Sequence, residues 1–123
     1  MTIELNHTIV PAHDKVASAK FFAKAFGLPF DDRAVWYFVP VRVNERLTRD
    51  FHDDVDQFEI HHYAFKISEA EFDEIFGRIQ AQGIRYGSGP ATLEDTAINH
   101  HGGGRGVYFR GQNGHILELL TIG

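Results

Sequence analysis

The side chains of this sequence that can do chemistry are imidazoles and carboxylates. Eight histidines stand among 123 residues with no cysteine, which excludes disulfides, thiolate catalysis and thiolate metal sites. Glu118 is the first of these groups to draw notice. In His115-Ile116-Leu117-Glu118-Leu119-Leu120 it alternates with Leu117 and Leu119, so it is a carboxylate in an apolar strand. Such a group is costly to bury unless something positive meets it. A divalent metal held by His7, His62 and Glu118 is one answer, because two imidazoles and one carboxylate with coordination positions left open suit Fe(II), Mn(II), Ni(II) or Zn(II). Each residue also has a plainer reading. Either histidine can be a hydrogen-bonded surface residue, and Glu118 can pair with Arg105 or Arg110. What favours the metal is the elements that must carry these residues.

Those elements recur. Ile3 to Pro11 reads as a strand. Asp14 caps a helix through about Phe26, with Val16, Ala19, Phe22, Ala23 and Phe26 as its apolar stripe and Gly27 as its stop. Short strands are expected around Pro29-Phe30, over Val35 to Val41 and over Glu45 to Phe51, followed by the acidic linker His52 to Gln57. The order then repeats. Glu59 to Ile67 reads as a strand, and Ser68 with Glu71 as a capping box. Phe72, Ile75, Phe76 and Ile79 form a helical stripe, and Gly83 a stop. Further strands are expected at Ile84 to Tyr86, Gly106 to Arg110 and His115 to Thr121, the last two joined by a tight Asn113-Gly114 turn. Ala91 to Gly104, glycine-rich, reads as a mobile loop.

Strand–helix–strand–strand–strand therefore appears twice in one domain over 1–123, module one about 1–53 and module two about 58–123. The expected fold class is α+β: two βαβββ modules forming a curved, incompletely closed mixed sheet with helices on its outer face. Alternation turns Tyr63, Phe65 and Ile67 toward the helix, and His62, Ala64 and Lys66 toward the free face. His7 is the register partner of His62, and Glu118 shares their face. Aligning Leu47 with Leu117 puts Thr48 where Glu118 stands. Asp50 lies two residues along the same face as a candidate further ligand, and Glu45 points to solvent. Trp36, Tyr37 and Phe38 read mostly as core, with cavity-lining the other option.

Composition narrows the function classes. A formal charge of −5 argues against a nucleic-acid partner. No apolar run approaches the roughly 20 residues that cross a membrane. The N-terminus lacks a basic start and apolar core, so no secretory signal is expected and a cytoplasmic location is.

Three stretches carry a resemblance. LNHTIVPAHDKVASAKFFAKAFGL resembles the opening of a vicinal oxygen chelate protein, the superfamily of glyoxalase I, fosfomycin-resistance thiol transferases, extradiol dioxygenases and bleomycin-resistance proteins. HHYAFKISEAEFDEIFGRIQAQGI resembles the opening of its second module, and GRGVYFRGQNGHILELLT its closing hairpin. The resemblance implies paired βαβββ modules, a divalent metal and a homodimer whose cavity draws on both chains. It matches His7, His62 and Glu118 to the metal ligands, and Tyr108 to a catalytic position facing the metal-bound substrate; a core aromatic is the other reading of Tyr108. Thr48 departs from the carboxylate or amide that glyoxalase I takes from its first half, and Ile9 from a threonine of the fosfomycin enzymes. A dioxygenase would need a histidine base, for which His61, His100, His101 and His115 are candidates.

Two functions follow as expectations. One is a metal-dependent enzyme acting on a small oxygen-bearing substrate chelated to the metal, by lyase or isomerase, dioxygenase or thiol-transferase chemistry. Lys66 would attract an anionic group there, or stay solvated. The other is a non-catalytic dimer that sequesters a drug or metabolite in the same cavity.

Overall fold

Asp14, two residues after the first strand, begins the first helix. In the computed structural model, which describes residues 2–31, 33, 36–54 and 56–123, its carboxylate accepts the Ala17 N–H at 3.1 Å. Helix α1 (Lys15–Phe26) runs from there to Gly27, whose φ of 70° closes it in the left-handed conformation that glycine adopts without strain. Its expected stripe is buried, apart from Val16, which is half-buried.

The chain forms two compact units, Met1–Glu59 and Ile60–Gly123. In the first, β1 (His7–Ala12), β2 (Val39–Arg42) and β3 (Thr48–Asp53) make a mixed sheet in the order β1-β3-β2. Val10, Ala12, Val39, Val41 and Phe51 face α1 and are buried. Each large side chain among them contributes about 1.5–3 kcal/mol through burial. Phe22 meets Phe51 at 6.0 Å, and the buried Arg49 lays its guanidinium 4.5 Å over the Phe22 ring.

In the second unit β4 (His62–Lys66), α2 (Glu69–Ala81), β5 (Tyr86–Gly87), β6 (Gly106–Arg110) and β7 (Ile116–Leu120) give a mixed sheet in the order β4-β7-β6-β5. The Ser68–Glu71 capping box forms as expected. Phe72, Ile75 and Ile79 are buried, and Phe76 meets Tyr86 edge-on at 5.0 Å. Arg105 ties the first two turns of α2 to the sheet: it reaches Glu69 at 2.7 Å and Asp73 at 2.8 Å, and lies 4.3 Å over the Phe72 ring.

The architecture is α+β: the described residues form two helices and seven strands in two mixed sheets, one in each unit. Several expectations change in detail. Pro29-Phe30 is not a strand, in keeping with a proline that lacks an N–H and fixes φ. The Val35–Val41 strand begins at Val39; Val35 itself, like Val55 of the expected linker, lies outside the described residues. That linker gives His52 and Asp53 to β3. Trp36 and Tyr37 are exposed, at 84% and 58%, not core, because they precede β2 rather than alternate within it. The loop expected to be mobile is organised by hydrogen bonds. Asp95 accepts the Ser88 and Ala97 N–H groups at 2.9 and 3.0 Å, and Asn99 bridges to Gly106.

The closing turn is also longer than expected. Gly111 N–H donates to His115 O and Gly114 N–H to Gly111 O, so the loop is Gln112-Asn113-Gly114, and only Gly114, at φ 85°, is left-handed. The first unit repeats that closure between Val43 N–H and Leu47 O, around Asn44-Glu45-Arg46.

Candidate metal centre

The pairing of β4 with β7 decides which side chains can meet. The strands are parallel, with His62 opposite Ile116 and Ala64 opposite Glu118. His62 and Glu118 are thus diagonal neighbours on the face away from Leu117 and Leu119, which are buried. Their atoms touch: His62 Nε2 lies 2.9 Å from Glu118 Oε1. Antiparallel pairing sets Tyr108 of β6 directly opposite Glu118, on the same face. The Tyr108 hydroxyl donates to the Glu118 carboxylate, and its ring sits 5.6 Å from that of His62. Burial first, and then that carboxylate, push the Tyr108 hydroxyl above the ordinary phenol range, so it stays a neutral donor. Neither Arg105 nor Arg110 takes Glu118: Arg105 is committed to α2, and Arg110 donates to Gly114 O at 3.3 Å.

This pair fits a cation. Two donors each about 2.1 Å from a metal and at right angles to one another lie about 3 Å apart, and the imidazole nitrogen and carboxylate oxygen stand 2.9 Å apart. With a carboxylate as its partner, Nε2 carries a proton that metal uptake must displace.

The first unit repeats this arrangement in register. Thr48 N–H donates to Asn6 O, just as Ile116 N–H donates to His61 O. His7 therefore corresponds to His62, Thr48 to Ile116, and Asp50, the partner of Ile9, to Glu118. That corrects the alignment of Leu47 with Leu117. The matched hairpin closures make Leu47 equivalent to His115, so the carboxylate of the first unit is Asp50, and Thr48 stands two residues before it. Pro40, opposite Asp50, occupies the place of Tyr108. His7 is exposed on the face turned from α1, and its Nδ1 lies 2.8 Å from Asn6 Oδ1. An amide oxygen only accepts, so Nδ1 is the donor in this contact.

Among the described residues no three His, Asp or Glu side chains come together as a metal-holding group; the second unit brings His62, Glu118 and Tyr108 together, and His7 belongs to the first. The other histidines lie elsewhere. His115 is buried, accepts the His61 N–H at its Nδ1 at 3.0 Å, and rings with His61 and Tyr63 on the face opposite Glu118. His100 is held to Gly104 O at 3.2 Å, and His101 is exposed in the same short turn. Lys66 is exposed on the face of His62.

A strand–helix–sheet design used twice, with matched histidine and carboxylate positions on the faces free of helix, defines a class, and solved structures bear that out: the chain belongs to the vicinal oxygen chelate superfamily. It matches the structure of oxidase ChaP-H2 with a TM-score of 0.91 and 46% identity over 100% of this chain and 96% of that one. For oxidase ChaP-H1 the TM-score is 0.90, with 41% identity over 99% and 98%. A lactoylglutathione lyase from Agrobacterium tumefaciens shares the fold, with a TM-score of 0.73 and 20% identity over 99% and 95%. No protein-family model matches the chain, and no curated protein does.

Proposed function

We propose that the protein is a metal-dependent oxidase of the vicinal oxygen chelate superfamily, acting on a small substrate that offers two neighbouring oxygens. The observation that carries this reading is the His62–Glu118 pair, spaced at 2.9 Å as adjacent ligands of one cation and backed by the Tyr108 hydroxyl. The likeness to two proteins named as oxidases, at 46% and 41% identity, supports oxidation over isomerisation or thiol transfer. His7 is the third ligand of this reading, and Asp50 its further candidate. The metal, among Fe, Mn, Ni and Zn, would supply Lewis acidity toward the chelated oxygens. Tyr108 donates its O–H to Glu118 and so orients the carboxylate, its oxygen left to accept from the substrate. A homodimer that completes the site from two chains belongs to this reading, as does a cytoplasmic location.

The test is metal binding. Calorimetric titration of the metal-free protein with Fe(II), under argon, and with Zn(II) should show one site per chain. Glu118→Gln should weaken it by at least about tenfold, equivalent to about 1.4 kcal/mol. Protein that binds neither metal while still taking up bulky ligands would leave the sequestering role in its place.

A further inference from the structure

On the helix-free face of the first unit, a depression of about 350 Å³ opens between Pro29, Phe30, Asp31, Pro40, Arg42 and Thr48. Its position follows from strand register. Thr48 is the partner of His7, and Pro40 the partner of Asp50, so the depression lies alongside the metal-competent residues of this unit. Its volume is that of a small-ligand site, which commonly spans about 300–1,000 Å³. Its walls are apolar, supplied by Pro29, Phe30 and Pro40, and Ile9, beside Asp50 on the same face, is 43% exposed.

Charge is supplied unevenly. Asp31 is occupied by Arg33, whose N–H and Nε meet the same carboxylate oxygen at 2.9 and 3.2 Å. Arg42 is held by one contact, Nη2 to the Glu45 backbone carbonyl at 3.0 Å, and carries no ion pair among the described residues. A guanidinium with one donor used and a planar fork still open is built for an anionic oxygen pair. Nothing in the assembly of β2 with β3 requires an arginine at that point, since Arg42 is exposed at the end of its strand.

We infer that this depression is the subsite for the distal part of the substrate, and that it selects a flat apolar molecule bearing one carboxylate or phenolate, with Arg42 pairing the anion and Phe30, Pro29 and Pro40 covering the ring. This rests on the reading of the helix-free face as the active-site face and adds the substrate class to it. Arg42 is then the specificity-determining residue, and the chelating oxygens of the substrate lie at the other end, toward His7.

Two isosteric probes test the charge term alone: 2-naphthoate and its neutral counterpart 2-naphthamide, each titrated into the metal-free protein and followed by fluorescence and by backbone amide shifts. The expected result is that 2-naphthoate binds at least about tenfold more tightly, which is about 1.4 kcal/mol, with shifts at Phe30, Val41, Arg42 and Thr48. Arg42→Met should remove that preference while leaving 2-naphthamide affinity within about twofold. Phe30→Ala should weaken both probes alike. Equal affinity of the two probes, a preference that survives Arg42→Met, or shifts that miss Thr48 and Arg42 would each overturn the inference. The metal titration above is run on the same preparations and separates the two readings. Metal binding without naphthoate preference removes the subsite alone, whereas the preference without metal binding removes the oxidase reading and leaves an acid-binding pocket.

Discussion

Tyr108 shows how one hydroxyl can aim a carboxylate. Its position opposite Glu118 lets the phenol donate to the carboxylate, and its burial keeps the phenol protonated. A carboxylate so held is aimed, and partners of this kind commonly account for about 10–100-fold in metal affinity. Tyr108→Phe is therefore expected to weaken Zn(II) binding by about that factor without unfolding the protein, as calorimetry together with circular dichroism would show. An unchanged affinity would mean that Glu118 needs no such guide. The register of Tyr108 with Glu118 follows from the three-residue loop, whereas a two-residue Asn113-Gly114 turn pairs the strands one position differently.

Two structural elements owe their order to single polar side chains. His115 accepts the His61 N–H where β4 begins, next to the bond from Ile116 N–H to His61 O, so it locks the entry of the strand that carries His62. His115→Phe keeps the ring and removes the acceptor. It is expected to cost about 0.5–1.5 kcal/mol, the net contribution of one hydrogen bond, measurable by urea unfolding, with His115→Asn recovering part of the loss. Asp95 organises the loop before β6. Its carboxyl is held below the ordinary carboxylate range, chiefly by the Ser88 hydroxyl and also by backbone N–H groups. A lowered value means that the folded loop favours the charged form. Its contribution is therefore present above the ordinary carboxylate pKa of about 3.9, and is lost as pH falls through the lower folded value. Amide exchange at Ser88 and Ala97 should quicken in that acid window, and in Asp95→Ala, which removes the shared acceptor oxygen, it should already be fast at neutral pH.

At the scale of the molecule, the proposed ligand set names one residue of the first unit, His7, and two of the second, His62 and Glu118. A ligand that binds only the folded state at about 100 times its dissociation constant adds about 2.7 kcal/mol of stability. Excess Zn(II) should therefore raise the melting temperature of the wild type, and either His7→Ala or His62→Ala should abolish the rise. A rise that persists in His7→Ala but not in His62→Ala would confine the site to the second unit. Light scattering on the same samples would report whether the metal-bound form is a dimer.

Much of this protein is legible in local chemistry. The Asp14 cap, the Ser68–Glu71 box, the α1 and α2 stripes and the alternation of Leu117, Glu118 and Leu119 each depend on residues a few positions apart, so short-range sterics and hydrogen bonding specify them. That is why the duplicated design and the face of Glu118 could be deduced. Which residue stands where in the other half could not be. Whether Thr48 or Asp50 matches Glu118 depends on how β3 slides along β1, and matching one leucine to another placed it two residues off. The fate of Arg105, drawn to α2 instead of to Glu118, depends on partners more than thirty residues away. Strand pairing and long-range charge compensation are energies of the folded whole, and only the assembled sheets decide them.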